Sequence, residues 1–214
     1  MAHANHENWS GLPGNWDTLK QRQQFPSSNR LGIPDLLPQT FTVPDYVGLA
    51  RYNLRDEVGK RLAGNLAHFF LDDHRFESVW SRQFAGMGRV SRFWGALTPD
   101  FSLYTDFSLA AQVWQVYRSR WVGRFWQECG LRVIPSVNWS LPWSFDFCFL
   151  GIQQGSIVAL SVPDQRDEAT AILFKLGFDE MLKTVRPQQI LVYGKLPFPC
   201  QIAKEFPPDW IKLR

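Results

Sequence analysis

Short apolar runs alternate with longer stretches of helical spacing from residue 66 onward. Short apolar runs that end at turn-forming residues predict buried β-strands. Five such strands are predicted, within residues 66–73, 93–100, 131–140, 156–164 and 189–195, and residues 40–51 are a candidate sixth.

Two of the intervening stretches predict α-helices. Between residues 108 and 130, bulky apolar side chains recur at spacings of one, three and four, and Gly130 follows the last of them. Residues 166–187 begin with acidic side chains and end with basic ones before Pro187, which suits the helix dipole. Strands that alternate with helices predict an α/β fold, with a mostly parallel sheet of about five or six strands and crossover helices. This sheet is expected to be open, or incomplete and barrel-like.

The same pattern divides the chain into three predicted parts. Residues 1–45 are rich in Pro, Asn and Gln and are predicted to form an N-terminal arm. Residues 46–200 are predicted to form a single α/β domain, and residues 201–214 a C-terminal tail. Trp9 and Trp16 make the arm too apolar for a purely solvated linker, so part of it is expected to pack on the domain or on a partner.

Composition, charge and cysteine content narrow the class of protein. The chain has 214 residues and is 45% hydrophobic, which is enough apolar material for one core. A formal net charge of +3 permits nucleic-acid binding without requiring it. The cysteines are widely spaced, no apolar run is long enough to cross a membrane, and the N-terminus does not resemble a signal peptide. These features predict a cytoplasmic protein without a membrane partner.

Polar residues follow the predicted strands at the points where the strands end. Ligands of parallel α/β folds bind at the carboxyl ends of the strands, so side chains at those ends are expected to meet around one mouth. Strand by strand, the ends carry Asp72 and Asp73, then Asp100, then Asn138, Trp139 and Ser140, then Asp164, then Tyr193 and Lys195.

The carboxylates at these ends predict a metal site. Asp72, Asp73 and Asp100 offer the oxygen ligands that Mg²⁺ and Mn²⁺ prefer, and these ions serve phosphoester chemistry. His74 or Lys195 would then act as an acid, a base or a phosphate contact. Since adjacent residues of a strand point to opposite faces, only one of Asp72 and Asp73 is expected to face the mouth.

Each of these side chains also has an ordinary structural alternative. Asp73, Asp100 and Asp164 would instead cap the helices that follow them. Arg118 and Arg120, on the long predicted helix, would reach phosphates or would belong to a solvated helix face.

Several separated blocks carry a resemblance to a known family. The blocks are "FFLDDHRFE", "TPDFSLYTD", "WQVYRSRWVGRFWQECGLRVIPSVNW", "SFDFCFLGIQQGSIVALS" and "GFDEMLKTVRPQQILVYG". Together they resemble the family numbered 4417 among domains of unknown function, which is found in bacteria, phages and mobile elements. The resemblance covers about residues 66–195 and implies a bacterial or phage setting, but it implies no mechanism.

The strand ends and the matched blocks together give the candidate site residues. The candidate catalytic residues are Asp72, Asp73, Asp100 and Tyr193, and the three aspartates are also the candidate ligands of Mg²⁺ or Mn²⁺. The candidate ligand-binding residues are Arg75, Ser102, Tyr104, Arg118, Arg120, Trp139 and Lys195.

Three functions remain open, and the sequence leaves undecided whether the protein is an enzyme. The first is a nucleic-acid-associated phage or mobile-element protein that binds DNA or RNA and performs metal-dependent phosphoester chemistry. Residues 81–94 favour it, because they interleave arginines with aromatic side chains that are able to stack on bases. The second is a non-catalytic protein that binds a protein partner through its Trp-rich arm and tail. The third is a binder of a small nucleotide-like ligand at the same mouth.

Overall fold

Parallel strands and helices alternate along the computed structural model, which describes residues 23–54 and 62–208. In chain order the strands are β1 Gly48–Arg51, β2 Asn65–His68, β3 Gly95–Leu97, β4 Val133–Ile134, β5 Ile157–Ser161, β6 Gln189–Tyr193 and β7 Ala203–Phe206. The α-helices are α1 Ser78–Ser81, α2 Gln83–Val90, α3 Leu109–Glu128 and α4 Glu168–Val185. Short 3-10 turns occur at Leu62–Gly64, Asp73–Arg75 and Pro142–Asp146.

Every pairing between the described strands is parallel. Strands β1 to β4 form one sheet in chain order, and β5 to β7 form a second. A single parallel bridge between Ser136 and Ala159 joins them. The predicted α/β class and its parallel pairing are confirmed. The predicted single sheet of five or six strands differs from the structure. The seven described strands form two sheets, and the break between the sheets falls between β4 and β5.

The side-chain amide of Gln39 links β4 and β5 near the first residue of each strand. Gln39 accepts a hydrogen bond from the Ile157 N–H at 2.6 Å and donates to the Ile157 carbonyl at 3.0 Å. Its Nε2 also donates to the Val133 carbonyl of β4 at 3.4 Å. The amide therefore satisfies backbone groups that a neighbouring strand would otherwise satisfy. Ile33 and Leu36 are buried nearby in sequence, so the described part of the N-terminal segment packs on the sheets.

The two sheets curve around a shared apolar interior. One buried cluster takes at least one side chain from each strand, namely Leu49, Leu66, Leu97, Ile134, Ile157, Ala159, Leu191 and Phe206. Across this interior, the ring centroids of His68 on β2 and Tyr193 on β6 lie 4.7 Å apart. Lys204 on β7 donates to the carbonyl of Asp45, just before β1, at 3.0 Å. The arrangement is therefore an open, barrel-like one, as the sequence predicts.

The two long predicted helices are confirmed as α3 and α4. Ser108 caps α3 by accepting a hydrogen bond from the Ala111 N–H at 3.3 Å, and Asp167 caps α4 by accepting one from the Thr170 N–H at 2.8 Å. Two of the described connections between strands contain no α-helix. Neither the segment between β4 and β5 nor the segment between β6 and β7 contains an α-helix.

The chain ends contain one strand that the sequence analysis missed. Strand β7 lies within residues 201–214, which were predicted as a tail, and pairs with β6. Trp9 and Trp16 lie outside the described residues, and the structure describes the predicted arm only from residue 23 onward. Among the described residues, no helix is both long and apolar enough to cross a membrane.

Candidate functional site

Among the described residues, three adjoining cavities at the carboxyl ends of the strands share one lining residue. Ser161, the last residue of β5, lines all three. The aromatic pocket has a volume of about 270 Å³, and its walls include Asp100, Trp139, Ser140, Leu173 and Phe174. The polar pocket has a volume of about 440 Å³, and its walls include Phe70, Asp72, Arg75, Asp100 and Ser102. The wide cleft has a volume of about 900 Å³, and its walls include Asp164, Tyr193, Lys195, Glu205 and Phe206.

Asp100 lies where the aromatic pocket and the polar pocket meet, because its side chain lines both. It follows β3 by three residues and is half-buried. Within the described part of the chain, its carboxyl group makes no hydrogen bond. Partial burial without a hydrogen-bond partner favours the neutral form of a carboxyl group.

The surroundings of Asp100 favour the protonated acid. Burial raises the pKa of Asp100 to about 8, the negative charge of Asp73 raises it as well, and the positive charge of Arg120 acts in the opposite direction. The carboxyl group is therefore mostly neutral at neutral pH. A neutral carboxyl presents an O–H donor beside a carbonyl acceptor, whereas a carboxylate only accepts. A perturbed acid in a cleft is a physical indication of a functional site.

Trp139 forms one wall of the aromatic pocket and rests on helix α4. Its indole Nε1 donates to the Leu173 carbonyl at 3.1 Å, and its ring stacks on Phe174 with centroids 5.6 Å apart. Gly177 makes this position accessible, because a Cβ atom at residue 177 would overlap the indole. The packing of Trp139 against a glycine on α4 thus places this large aromatic side chain in the pocket wall.

Ser140 lines the same pocket and has a buried hydroxyl without a partner among the described residues. Only 4% of this residue is exposed, and its Oγ has no hydrogen-bond partner in the described structure. The backbone N–H of Ser140 is paired, because it donates a hydrogen bond to the Ser144 Oγ at 3.0 Å. Buried polar groups are normally paired, so an unpaired hydroxyl beside a pocket is a second indication that a ligand supplies a partner.

Asp72 and Asp73 take different roles, as their adjacent positions predict. Asp72 is exposed and forms an ion pair with Arg75, whose Nε lies 3.0 Å from Oδ2. Asp73 accepts hydrogen bonds from the Ser102 hydroxyl at 2.9 Å, the Ser102 N–H at 3.2 Å and the Gln115 Nε2 at 3.3 Å. Asp73 therefore ties the loop after β3 to the loop after β2.

This arrangement corrects the predicted metal site. Among residues 23–54 and 62–208, no three His, Cys, Asp or Glu side chains come together as metal ligands. Asp72 is paired with Arg75, Asp73 is used by Ser102 and Gln115, and Asp100 is mostly protonated. The three aspartates therefore do not form a group of ligands around one point within the described part of the chain.

The capping alternative is also wrong for the predicted aspartates. Ser108 and Asp167, not Asp73 or Asp100, provide the side-chain caps of α3 and α4. Asp164 is exposed, and its carboxylate accepts hydrogen bonds from Arg166, including one from Nε at 2.8 Å. The polar ends of the strands are therefore not explained by helix capping.

Arg118 and Arg120 point into the protein. Only 9% of Arg118 and 2% of Arg120 is exposed. The Arg118 Nη1 donates to the Glu77 carboxylate at 2.8 Å, its Nε donates to Gln115 at 3.1 Å, and its guanidinium lies 3.8 Å from the Phe101 ring centroid. The predicted phosphate contacts and the alternative of a solvated face both disagree with this burial.

The remaining candidate residues are divided among the cavities. Arg75 and Ser102 line the polar pocket, Trp139 lines the aromatic pocket, and Tyr193 and Lys195 line the wide cleft. His74 is exposed beside Asp73. Tyr104 is 53% exposed and packs edge-on against Phe107. Ser161 and Thr105 also line pocket walls, but they carry no charge that would single them out in the sequence.

The arginine-rich segment predicted to contact nucleic acid lies away from the mouth. Helix α2 ends just before the start of β3, so Arg89 and Arg92 lie toward the amino ends of the strands. The Arg89 guanidinium is 5.2 Å from the Tyr52 ring centroid. Association with DNA or RNA stays a prediction, and these arginines do not add to the cavities at the carboxyl ends.

The roles of Asp72 and Asp73 can be separated by substitution. Asp73→Asn should lower the free energy of unfolding by about 1.5–3 kcal/mol, because an amide N–H replaces a charged acceptor among three donors. Asp72→Asn should lower it by less than about 1 kcal/mol, because the pair with Arg75 is exposed. Urea unfolding of the two variants makes the comparison, and equal losses of stability would contradict these assignments.

Comparisons with known proteins identify relatives of the whole chain. The Gene 1 protein of Mycobacterium phage D29 is 43% identical over 212 residues, which cover 96% of this chain and 77% of that protein. The Gene 1 protein of Mycobacterium phage L5 is 44% identical over 214 residues, covering 96% of this chain and 91% of that protein. These relatives confirm the expected phage setting. No solved structure matches the chain significantly. A family model described as Domain of unknown function (DUF4417) matches residues 25–207, and the chain belongs to that family.

Proposed function

We propose that this protein binds a small organic ligand, of the nucleotide-like kind expected from the sequence, in the aromatic and polar pockets. Asp100 carries the proposal, because it is a mostly neutral carboxyl group that lines both pockets and makes no hydrogen bond within the described structure. Parallel α/β folds bind their ligands at this end of the strands. The position of Asp100 and the chemistry of its carboxyl group therefore both support a ligand site at this end of the strands.

The two pockets suit different parts of one ligand. The aromatic pocket has Trp139, Leu173 and Phe174 in its walls and a volume of about 270 Å³. This volume lies just below the ~300–1,000 Å³ of sites for drug-sized molecules, so it suits a ring or a pair of fused rings. The polar pocket, with Asp72, Arg75 and Ser102 in its walls, suits a hydroxylated part of the same molecule. Asp100 contacts both parts.

Other expected functions receive less support from the described residues. A nucleic-acid channel combines a positively charged groove with stacking side chains, but Arg118 and Arg120 are buried and Arg75 is paired with Asp72. Metal-dependent phosphoester chemistry lacks a cluster of ionised ligands among those residues. The predicted protein-binding Trp residues Trp9 and Trp16 lie outside the described chain. Small-ligand binding is therefore the function that the site supports best.

A bulky substitution inside the aromatic pocket tests this proposal. Leu173 lines the pocket and is only half-buried, so Leu173→Trp should fill the cavity while leaving the fold intact. Leu176→Trp is the matched control, because Leu176 is on the same helix and is 46% exposed. Thermal melts with nucleosides, nucleotides, free heterocycles and sugar phosphates measure binding. A ligand at about 100 times its Kd stabilises the native state by about 2.7 kcal/mol.

We expect some compounds to raise the melting temperature of the wild type and of Leu176→Trp, but not of Leu173→Trp. The unliganded Leu173→Trp should melt close to the control. Shifts that persist in Leu173→Trp would place the binding elsewhere and overturn the proposal. A complete lack of shifts would overturn it as well. Binding of only single- or double-stranded nucleic acid, weakening steeply with salt, would favour the nucleic-acid alternative instead.

A further inference from the structure

The polar groups of the aromatic pocket define a hydrogen-bonding pattern. The neutral Asp100 carboxyl offers one donor and one acceptor side by side in a plane. Ser140 contributes a hydroxyl that lacks a partner in the described structure. None of the described side chains that line this pocket is a lysine or arginine. The pocket therefore favours an uncharged ligand that itself presents a donor next to an acceptor.

The apolar groups of the pocket define the shape of that ligand. Trp139 is fixed by its hydrogen bond to the Leu173 carbonyl at 3.1 Å and by stacking on Phe174. Its position depends on Gly177, at which any side chain would overlap the indole. Aromatic side chains held in this way bind flat heterocycles by stacking. A flat ring is also the shape that carries a donor and an acceptor in one plane with a carboxyl group.

We propose that the aromatic pocket binds an uncharged planar heterocycle of nucleobase size, whose edge carries a donor beside an acceptor and pairs with the Asp100 carboxyl group. Trp139 packs against the ring, and Ser140 supplies a further hydrogen bond. Lactam edges, with adjacent N–H and C=O, and amino-azine edges, with adjacent N and NH₂, have this pattern. The inference rests on the proposed function, since it specifies the ligand of the same site.

Substitutions of Asp100 separate this pairing from other roles of the acid. Asp100→Asn keeps a donor beside an acceptor in the same shape, so it should retain binding. Asp100→Ala removes both groups and should weaken binding by about tenfold or more, which corresponds to about 1.4 kcal/mol. The wild type should lose affinity as the pH rises above about 8, because the ionised carboxylate no longer donates. The Asn variant should show no such loss.

The probes are uracil and 2-aminopyrimidine, with 1,3-dimethyluracil as the matched control. Dimethylation removes both N–H donors of uracil while keeping its ring, so the control should bind at least about tenfold more weakly than uracil. Equilibrium dialysis or ligand-observed NMR measures the affinities with the full chain. Gly177→Ala and Ser140→Ala should each weaken binding of the probes, the first by displacing Trp139 and the second by removing the hydroxyl.

Two kinds of failure can be distinguished. If neither probe binds, while other compounds raise the melting temperature and Leu173→Trp abolishes the shift, the ligand class is wrong and the proposed function stands. If Leu173→Trp abolishes no binding, the proposed function fails and this inference fails with it. Equal affinity for uracil and 1,3-dimethyluracil, or an Asp100→Asn variant as weak as Asp100→Ala, would overturn the pairing.

Discussion

Replacing Arg120 with methionine should lower the free energy of unfolding by about 3–5 kcal/mol, because each buried carbonyl left without a donor costs about 1–3 kcal/mol. The Arg120 guanidinium is 2% exposed. It donates to the carbonyls of Leu150 at 3.1 Å, Ser136 at 3.2 Å and Cys148 at 3.0 Å. Burial lowers the pKa of Arg120 to about 10, so the group is still charged at neutral pH. Methionine fills similar space but leaves three buried carbonyls without donors.

The control for this variant is Arg166→Met, whose side chain is 91% exposed in its pair with Asp164. Its loss of stability should be much smaller than that of Arg120→Met, because the pair is fully exposed to water. Chemical unfolding of both variants gives the comparison. Because the charge of Arg120 opposes the raised pKa of Asp100, that pKa should rise further in any Arg120→Met protein that folds. Similar stabilities of the two variants would contradict the structural role of Arg120.

The wild type should become less stable as the pH rises from the unfolded-state pKa of Asp100 to its folded-state pKa. In this range Asp100 is protonated in the folded protein and ionised in the unfolded chain. The folded-state pKa of Asp100 is about 8, above its ordinary value of 3.8. Between these values the native state binds more protons than the unfolded state, so the free energy of unfolding falls with increasing pH. The contribution of Asp100 is fully present below its unfolded pKa and is lost as the pH passes the folded pKa. Its slope is at most about 1.4 kcal/mol per pH unit, because a single carboxyl group contributes a difference of at most one bound proton.

The variant Asp100→Asn isolates this effect, since the amide does not titrate. Unfolding in urea at several pH values between about 5 and 8 should give a stability difference between variant and wild type that changes steadily in favour of the variant. Asp72→Asn serves as a control, because its exposed pair with Arg75 should leave the pH dependence of the wild type in place. A difference between Asp100→Asn and wild type that does not change with pH would contradict a raised pKa.

Local signals in the sequence account for the elements that were predicted correctly. Helices α3 and α4 have apolar faces, side-chain caps at Ser108 and Asp167, and Gly130 or a basic residue near the end. Apolar runs such as Ile157–Ser161 become buried strands because both faces of a parallel sheet are covered. Each of these signals depends on neighbours in sequence, which explains why they can be read without the fold.

The features that were missed depend on distant contacts. Strand β7 contains Lys204 and Glu205 and has only four residues, so its sequence does not resemble a buried strand. Gln39 bridges β4 and β5 where the two sheets separate, and it is 118 residues from Ile157 in the sequence. Periodicity contains no information about either contact. Strand order and sheet division therefore required the structure.

The structure places several of the candidate site residues at one end of the strands, and their roles in binding or catalysis stay predictions. The polar residues at the strand ends do line adjoining cavities, as expected for parallel strands. Three aspartates near these ends look alike in sequence, yet one is exposed, one is bound by Ser102, and one is neutral. Burial and the nearest charges decide among these states. The unpaired hydroxyl of Ser140 and the contact of Gly177 with Trp139 likewise exist only after folding.

The most direct test of a neutral acid at the ligand site is an NMR titration of the Asp100 carboxyl carbon, assigned by comparison with Asp100→Asn. We predict that this carbon titrates with a pKa near 8, and that a ligand whose binding Leu173→Trp abolishes will change its chemical shift. A pKa near the ordinary value of 3.8, or a carboxyl signal that such a ligand leaves unchanged, would contradict the account.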